Sequence, residues 1–180
     1  NRIYPIGIQN FEKIRKEGYV YVDKTALMYK LVKSGSYYFL SRPRRFGKSL
    51  LISTLEAYFE AKRDLFEGLA VETLEKDWVK RPVFHLDLNI GKYDTPDSLD
   101  KILNETLDYW ESLYGTRSAE TTLALRFAGV VGRAYEQSGE RVAILIDEYD
   151  KPLLQAIGNE ELQREFRNTL KPFYLSLIHI

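Results

Sequence analysis

The sequence predicts an α/β fold built on a parallel sheet, and three observations carry that expectation. Segments of helical period alternate along the chain with short apolar runs. The run RVAILIDEYD, residues 141–150, has the continuous apolar core of a strand covered on both faces. The stretches between such runs are long enough for the helical crossovers that parallel strands require. The chain has 180 residues, 44% of them hydrophobic and 29% charged, which fits one domain with its own core. Its 26 basic residues balance 26 acidic ones, so a global positive field for nucleic acid is absent and only a local patch remains open. The absence of cysteine excludes disulfides and thiolate metal sites, and two histidines, His85 and His179, argue against a zinc centre. No apolar run approaches 20 residues and no signal peptide is evident, so the expectation is a cytoplasmic protein with no membrane partner.

The elements follow in order. Residues 24–33 (KTALMYKLVK) place Leu27, Met28, Leu31 and Val32 on one helical face, with Gly35 as the stop. Residues 37–41 (YYFLS) read as a short buried strand. A helix from about 48 to 62 turns Leu51, Leu55, Tyr58 and Phe59 inward. Residues 82–89 (PVFHLDLN) read as a second strand. Thr95-Pro96 opens a helix with proline in its first position, and Leu99, Ile102, Leu103, Tyr109, Trp110 and Leu113 carry its period. Residues 119–137 repeat the pattern with Phe127, Val130, Val131, Ala134 and Tyr135, stopped near Gly139. After the strand in 141–150, a last helix starts near Asn159 and carries Leu162, Phe166 and Leu170. The chain begins at Asn1 and stops at Ile180 inside the apolar run LSLIHI, which reads as a fragment.

Two motifs carry chemistry. SRPRRFGKSL, residues 41–50, ends like a phosphate-binding loop of pattern G-x-x-x-x-G-K-[ST], except that Arg42 stands where the first glycine belongs. Such a loop lies between a strand and a helix and presents backbone N–H groups at the helix amino end. Gly47 lets the backbone approach a phosphate, Lys48 reaches the β- and γ-phosphates, and Ser49 offers its hydroxyl to Mg2+. Arg42, Arg44 and Arg45 add positive charge, with Pro43 and Phe46 between them and Leu50 closing the stretch. The bland reading is an arginine-rich surface turn. The second motif is the acidic tip of AILIDEYD. Asp147 is placed to hold Mg2+, and Glu148 to take a proton from an attacking water. The bland reading is a strand followed by an acidic turn. The conjunction is more specific than either part, and the interval between Lys48 and Asp147 holds two crossover helices and an intervening strand.

Other residues weigh less. His85 and Asp87 share one strand face, with Asp87 either a polar sensor or a satisfied strand-end residue. Asp23-Lys24-Thr25 precedes a helix and reads as an N-cap or, functionally, as a segment near a nucleotide base. The 13 tyrosines and 9 phenylalanines show no stacking-platform spacing. Pro96-Asp97 lacks a following E-x-K and so does not open a nuclease constellation.

YPIGIQNFEKIRKEGYVYVDKT, YYFLSRPRRFGKSLLISTLEAYFE, FHLDLN and VAILIDEYDKPL resemble the predicted AAA-ATPase-like family of bacterial and archaeal proteins, from about Tyr4 to Tyr174. That family characteristically reads RPRRFGKS, so Arg42 is similar to its norm. By position, Gly47, Lys48 and Ser49 match the Walker A end, and Asp147 and Glu148 the Walker B carboxylates. The resemblance implies a P-loop NTPase of the AAA-like branch, a three-layer α/β/α domain over residues 1–174. The strand after Walker B, which in that branch lies between the Walker A and Walker B strands, is missing here. It implies ATP and Mg2+ as cofactors and a nuclease domain of PD-(D/E)xK type further along many members. Residues 175–180 depart from the family pattern, and Pro172 sits inside a helix that should continue. Three functions stay open: an ATPase driving an attached effector domain, a nucleotide-binding switch without hydrolysis, and a nucleic-acid-associated module whose contacts lie in a further C-terminal domain. A homo-oligomer is compatible with the resemblance, with no residue assigned to its interface.

Overall fold

The structure, a computed structural model, describes residues 3–34 and 48–176. The strand expected at 37–41 and the loop through Gly47 lie outside the described residues. Two strands, β1 (Val83–Asp87) and β2 (Ala143–Asp147), pair in parallel, in register from Val83 opposite Ala143 to Asp87 opposite Asp147. Side chains alternate across a strand. Phe84, Leu86, Ile144 and Ile146 therefore enter one apolar cluster, while Val83 and Leu145 enter another.

The first cluster is built with α5 (Ser98–Tyr114), α6 (Leu123–Ser138) and α8 (Glu160–Leu175). An aromatic chain runs through it. Phe84 lies 4.7 Å from Trp110, Trp110 lies 5.6 Å from Phe127, and Phe127 stacks on Phe173 at 4.4 Å and 7°. The second cluster joins α1 (Phe11–Lys16), α2 (Thr25–Ser34), α3 (Lys48–Phe59), α4 (Ala70–Leu74) and the 3-10 turn Arg63–Phe66. Helices thus cover both faces of the strand pair, as a parallel sheet demands. A short α7 (Lys151–Gln155) follows β2.

Helix ends follow their caps. Thr122 and Asn159 accept from the backbone N–H of Leu125 and Leu162, each at 3.1 Å, and so start α6 and α8. Gly139, at φ 68°, ends α6 in the left-handed conformation that glycine adopts without penalty.

Several sequence expectations are corrected. α5 starts at Ser98, not at Pro96, which lies in a turn closed by Ser98 N–H donating to the Thr95 carbonyl at 3.2 Å. The helix expected to reach 62 ends at Phe59, and the strand expected through Asn89 ends at Asp87 in a 3-10 turn, Leu88–Ile90. Leu27, Tyr109, Leu113 and Tyr135 face solvent, although Met28, Trp110 and Ala134 beside them are buried. α8 does continue through Pro172 to Leu175, and Phe173 is buried beyond it.

Polar contacts fix α5 against α6. Arg126 donates to Glu111, to Asp108 at 2.7 Å and to Asn104 at 2.5 Å. Arg133, itself buried, donates through Nη1 to both Glu120 oxygens at 3.0 and 2.8 Å. Glu120 reaches that position only because residue 129 is glycine; a Cβ there would stand 1.8 Å from Glu120 Oε2. Alanine in a helix interior normally gains about 1 kcal/mol over glycine. Gly129→Ala is nonetheless expected to destabilise the fold by about 2 kcal/mol, because it breaks a partly buried ion pair and strands Arg133. Urea unfolding of the two proteins checks the sign.

Candidate functional site

The register brings Asp87 and Asp147 side by side at the carboxyl edge of the sheet, about 4.8 Å apart in backbone spacing. Asp147 is buried and Asp87 half-buried. Asp87 Oδ1 accepts from the Asn89 N–H at 2.9 Å and caps the 3-10 turn. Lys151, the first residue of α7, donates through Nζ to the Asn89 carbonyl at 2.5 Å and to its Oδ1 at 3.2 Å. The Tyr93 N–H donates to Gln155 Oε1 at 2.8 Å. The two loops that leave the strand tips are therefore tied to each other. Glu148, between β2 and that tie, is half-buried and held at φ 56°, a left-handed backbone that a residue with a Cβ adopts only under constraint.

α3 runs antiparallel to β1 on the face that carries His85 and Asp87. At its far end the Phe59 carbonyl accepts from the Arg81 N–H at 2.8 Å, and one turn earlier Glu56 Oε1 lies 2.8 Å from His85 Nδ1. From Glu56 back to Lys48 the helix rises about 12 Å, whereas His85 to Asp87 spans only about 7 Å of strand. The amino end of α3 therefore reaches past the strand tips. Lys48 is its first residue, Ser49 is exposed there and Leu50 is half-buried. Arg42, Pro43, Arg44, Arg45, Phe46 and Gly47 lie outside the described residues.

His85 titrates unusually. Burial pulls its pKa down, but the hydrogen bond and charge of Glu56, with the charges of Asp87 and Asp147, outweigh that and raise it above the ordinary 6.5. Nothing in the sequence signals Glu56 as its partner, nor Lys151 and Asn89 as the tie between loops. Asp23 and Thr25, by contrast, are occupied structurally. Asp23 accepts from Thr25 N–H and Oγ1 at 2.9 and 2.6 Å and from Ala70 N–H at 2.8 Å, while buried Thr25 accepts from Val71 N–H at 3.1 Å. Among the described residues no group of three or more His, Cys, Asp or Glu is arranged to hold a metal, and no helix is long and apolar enough to cross a membrane.

Comparison with known families matches residues 5–179 to the family described as "Predicted AAA-ATPase". The chain belongs to that family. Membership in a family of predicted ATPases suggests nucleotide binding. A relative from Azotobacter chroococcum mcd 1, "Uncharacterized protein in vnfD 5'region", is 41% identical over 172 residues, covering 94% of this chain and 33% of the relative. The chain thus spans about a third of the length of the curated relative it matches. No solved structure matches.

Two outcomes are expected of this predicted AAA-ATPase. A left-handed L-residue costs about 1–2 kcal/mol, which glycine avoids. Glu148→Gly should therefore keep or raise the urea midpoint, while Glu148→Val should lose about 1–2 kcal/mol because β-branching worsens the strain. The second concerns pH. The folded chain holds the His85 proton more tightly than the unfolded chain does. That contribution to stability is complete below pH 6.5 and is lost as the pH rises through the elevated folded value. Denaturation midpoints between pH 5.5 and about 8.5 should show this decline in the parent protein and a flatter profile in His85→Gln.

Proposed function

We propose that this chain binds ATP with Mg2+ at the carboxyl edge of the sheet and hydrolyses it to drive an attached effector region. The observation that carries the reading is the in-register Asp87–Asp147 pair, with Glu148 next to it and the amino end of α3, beginning Lys48-Ser49, reaching past the same edge. Ligands of open α/β sheets bind at this edge. In this reading residues 37–41 form the Walker A strand and residues 42–50 the loop of a P-loop NTPase with the three-layer AAA-like arrangement.

The residues fit the group they would hold. Mg2+ takes hard oxygen donors and uses one or two protein ligands beside phosphate oxygens and waters. The Ser49 hydroxyl and the Asp147 carboxylate at the strand tip are such donors, and two protein ligands need no larger acidic cluster. Bound there, Mg2+ offsets the charge of the phosphate oxygens.

The chain's own groups do the rest. The Lys48 ammonium binds the β- and γ-phosphates, and backbone N–H groups of Arg42 through Leu50 cradle them, with the arginine side chains adding charge. Glu148 accepts a proton from the attacking water. The water oxygen forms a bond to the γ-phosphorus, and the bond from that phosphorus to the bridging β–γ oxygen breaks, releasing ADP and phosphate.

The test uses the full-length protein. Lys48→Ala should abolish ATP binding measured by equilibrium dialysis. Glu148→Gln should bind ATP normally and lose turnover by about 100-fold or more. Normal turnover by Glu148→Gln would remove Glu148 as the base, and tight binding without turnover by the parent protein would leave a nucleotide-controlled switch in place of an ATPase.

A further inference from the structure

The Glu56–His85 pair lies beneath the proposed site, and the chemistry above does not use it. The 2.8 Å contact to Glu56 fixes the imidazole through Nδ1. Its other nitrogen, Nε2, is buried and has no hydrogen-bond partner among the described residues. A buried N–H without an acceptor is costly and rare enough to need a reason. Position supplies one. His85 precedes Asp87 by one same-face step on β1, and its partner in register, Leu145, precedes Asp147 by the same step on β2. The ring thus sits one layer below two carboxylates on adjacent strand tips, and the charges of both act on it together with that of Glu56. Like charges on directly neighbouring strand positions repel. A protonated imidazole carries charge opposite to that of Glu56, Asp87 and Asp147.

We propose that His85 is a positioning residue for the Asp87–Asp147 pair: anchored through Glu56 to α3, its ring holds the two carboxylates against their mutual repulsion in the geometry that the Mg2+ and phosphate groups of the proposed site require. The inference rests on the nucleotide-site reading and deepens it. It also gives α3 a second attachment to the strand tips. In this proposal the helix that begins at Lys48-Ser49 acts on the β2 carboxylate through the charge of the Glu56–His85 link as well as through any bound ligand. An ion pair that served only to pack α3 on β1 would support stability without sensing the charge state of residue 147.

That difference decides the experiment. Urea midpoints are measured at pH 6 for the parent chain, His85→Gln, Asp147→Asn and the double variant, with Asp87→Asn replacing Asp147→Asn in a second cycle should one variant fold poorly. The expected result is coupling: His85→Gln lowers the midpoint in the parent and lowers it clearly less once the facing carboxylate is neutral. Additive effects in both cycles overturn the proposal. In full-length protein, His85→Gln should raise the Mg2+ concentration for half-maximal ATP turnover by about 10-fold while KM for ATP changes by less than about twofold. An unchanged Mg2+ dependence in a protein that turns over ATP overturns it as well. Failure of the parent protein to bind ATP defeats the functional reading instead, and the nucleotide-free cycle then decides His85 by itself.

Discussion

The in-register pairing of Val83–Asp87 with Ala143–Asp147 is the constraint on which the rest of the structure depends. A two-stranded ladder is marginal by itself in water and persists only when apolar layers cover it. Here the alternation of the two strands sorts their larger apolar side chains. Phe84, Leu86, Ile144 and Ile146 face the aromatic core under α5, α6 and α8, and Val83 and Leu145 face the cluster under α3. A slip by one residue in either strand would reverse its faces. In β1 it would carry His85 and Asp87 into the Trp110–Phe127–Phe173 core, where a carboxylate has no partner to offset its desolvation. The burial that makes the sheet stable is therefore also what aligns Asp87 with Asp147.

The helix that meets this edge is held from its other side by polar contacts. Ser53 on α3 accepts from the Phe11 N–H at 3.0 Å, which joins α3 to the start of α1. Arg15 on α1 donates to the carbonyls of Leu65 and Glu67 at 2.7 and 2.5 Å, joining α1 to the turn that follows α3. Near the end of α3, the Tyr58 hydroxyl donates to Glu75, which also receives the Asp77 N–H and Lys33. Burial pushes the Glu75 carboxyl up, but these donors outweigh burial and leave it below the usual carboxylate range. The same burial, with the Glu75 charge, pushes the Tyr58 phenol well above its ordinary value. Each contact restricts how α3 can slide along the sheet, and such sliding would move Glu56 off His85.

Much of this was legible in the sequence, and the failures have physical causes. β2 and its acidic tip were legible because a strand buried on both faces must be continuously apolar, and the run ends abruptly at Asp147. α6 and α8 were legible because Gly139 and Asn159 are residues that favour helix ends, whereas the Thr122 cap, which starts α6 at Leu123 and not at 119, was passed over. The start of α5 was misread because proline suits the turn before a helix as well as its first residue, and here the Ser98 N–H closes that turn. Tyr109 and Leu113 were misread because helical period was counted from apolar character alone. The face that packs is Leu99, Leu103, Leu107 and Trp110, and Tyr109 and Leu113, to one side of it on the helix, meet water however apolar they are. Asp87 and Asp147 were each visible, but their adjacency was not, because strand register is set by two distant segments. Glu56 and His85 lie farther still from any local signal: one is a helical glutamate and the other a strand histidine, and only the packing of α3 on β1 makes them a pair.

Glu148 shows how this frame bears on chemistry. β2 runs directly into α7, whose first residues are Lys151 and Pro152, and the chain has only Glu148, Tyr149 and Asp150 in which to reverse. Pro152 fixes its own φ and Lys151 is fastened to Asn89, so the turn cannot relax toward its carboxyl end. Asp147 is fixed by the strand ladder on the other side. The left-handed conformation falls on the residue between these anchors. A strand alternates its side chains, but a left-handed residue directly after it breaks that alternation. The Glu148 side chain therefore leaves the backbone in a direction that neither face of β2 would give it. Two carboxylates adjacent in sequence are in this way given separate directions at one strand tip, which is the arrangement that the proposed metal ligand and general base need.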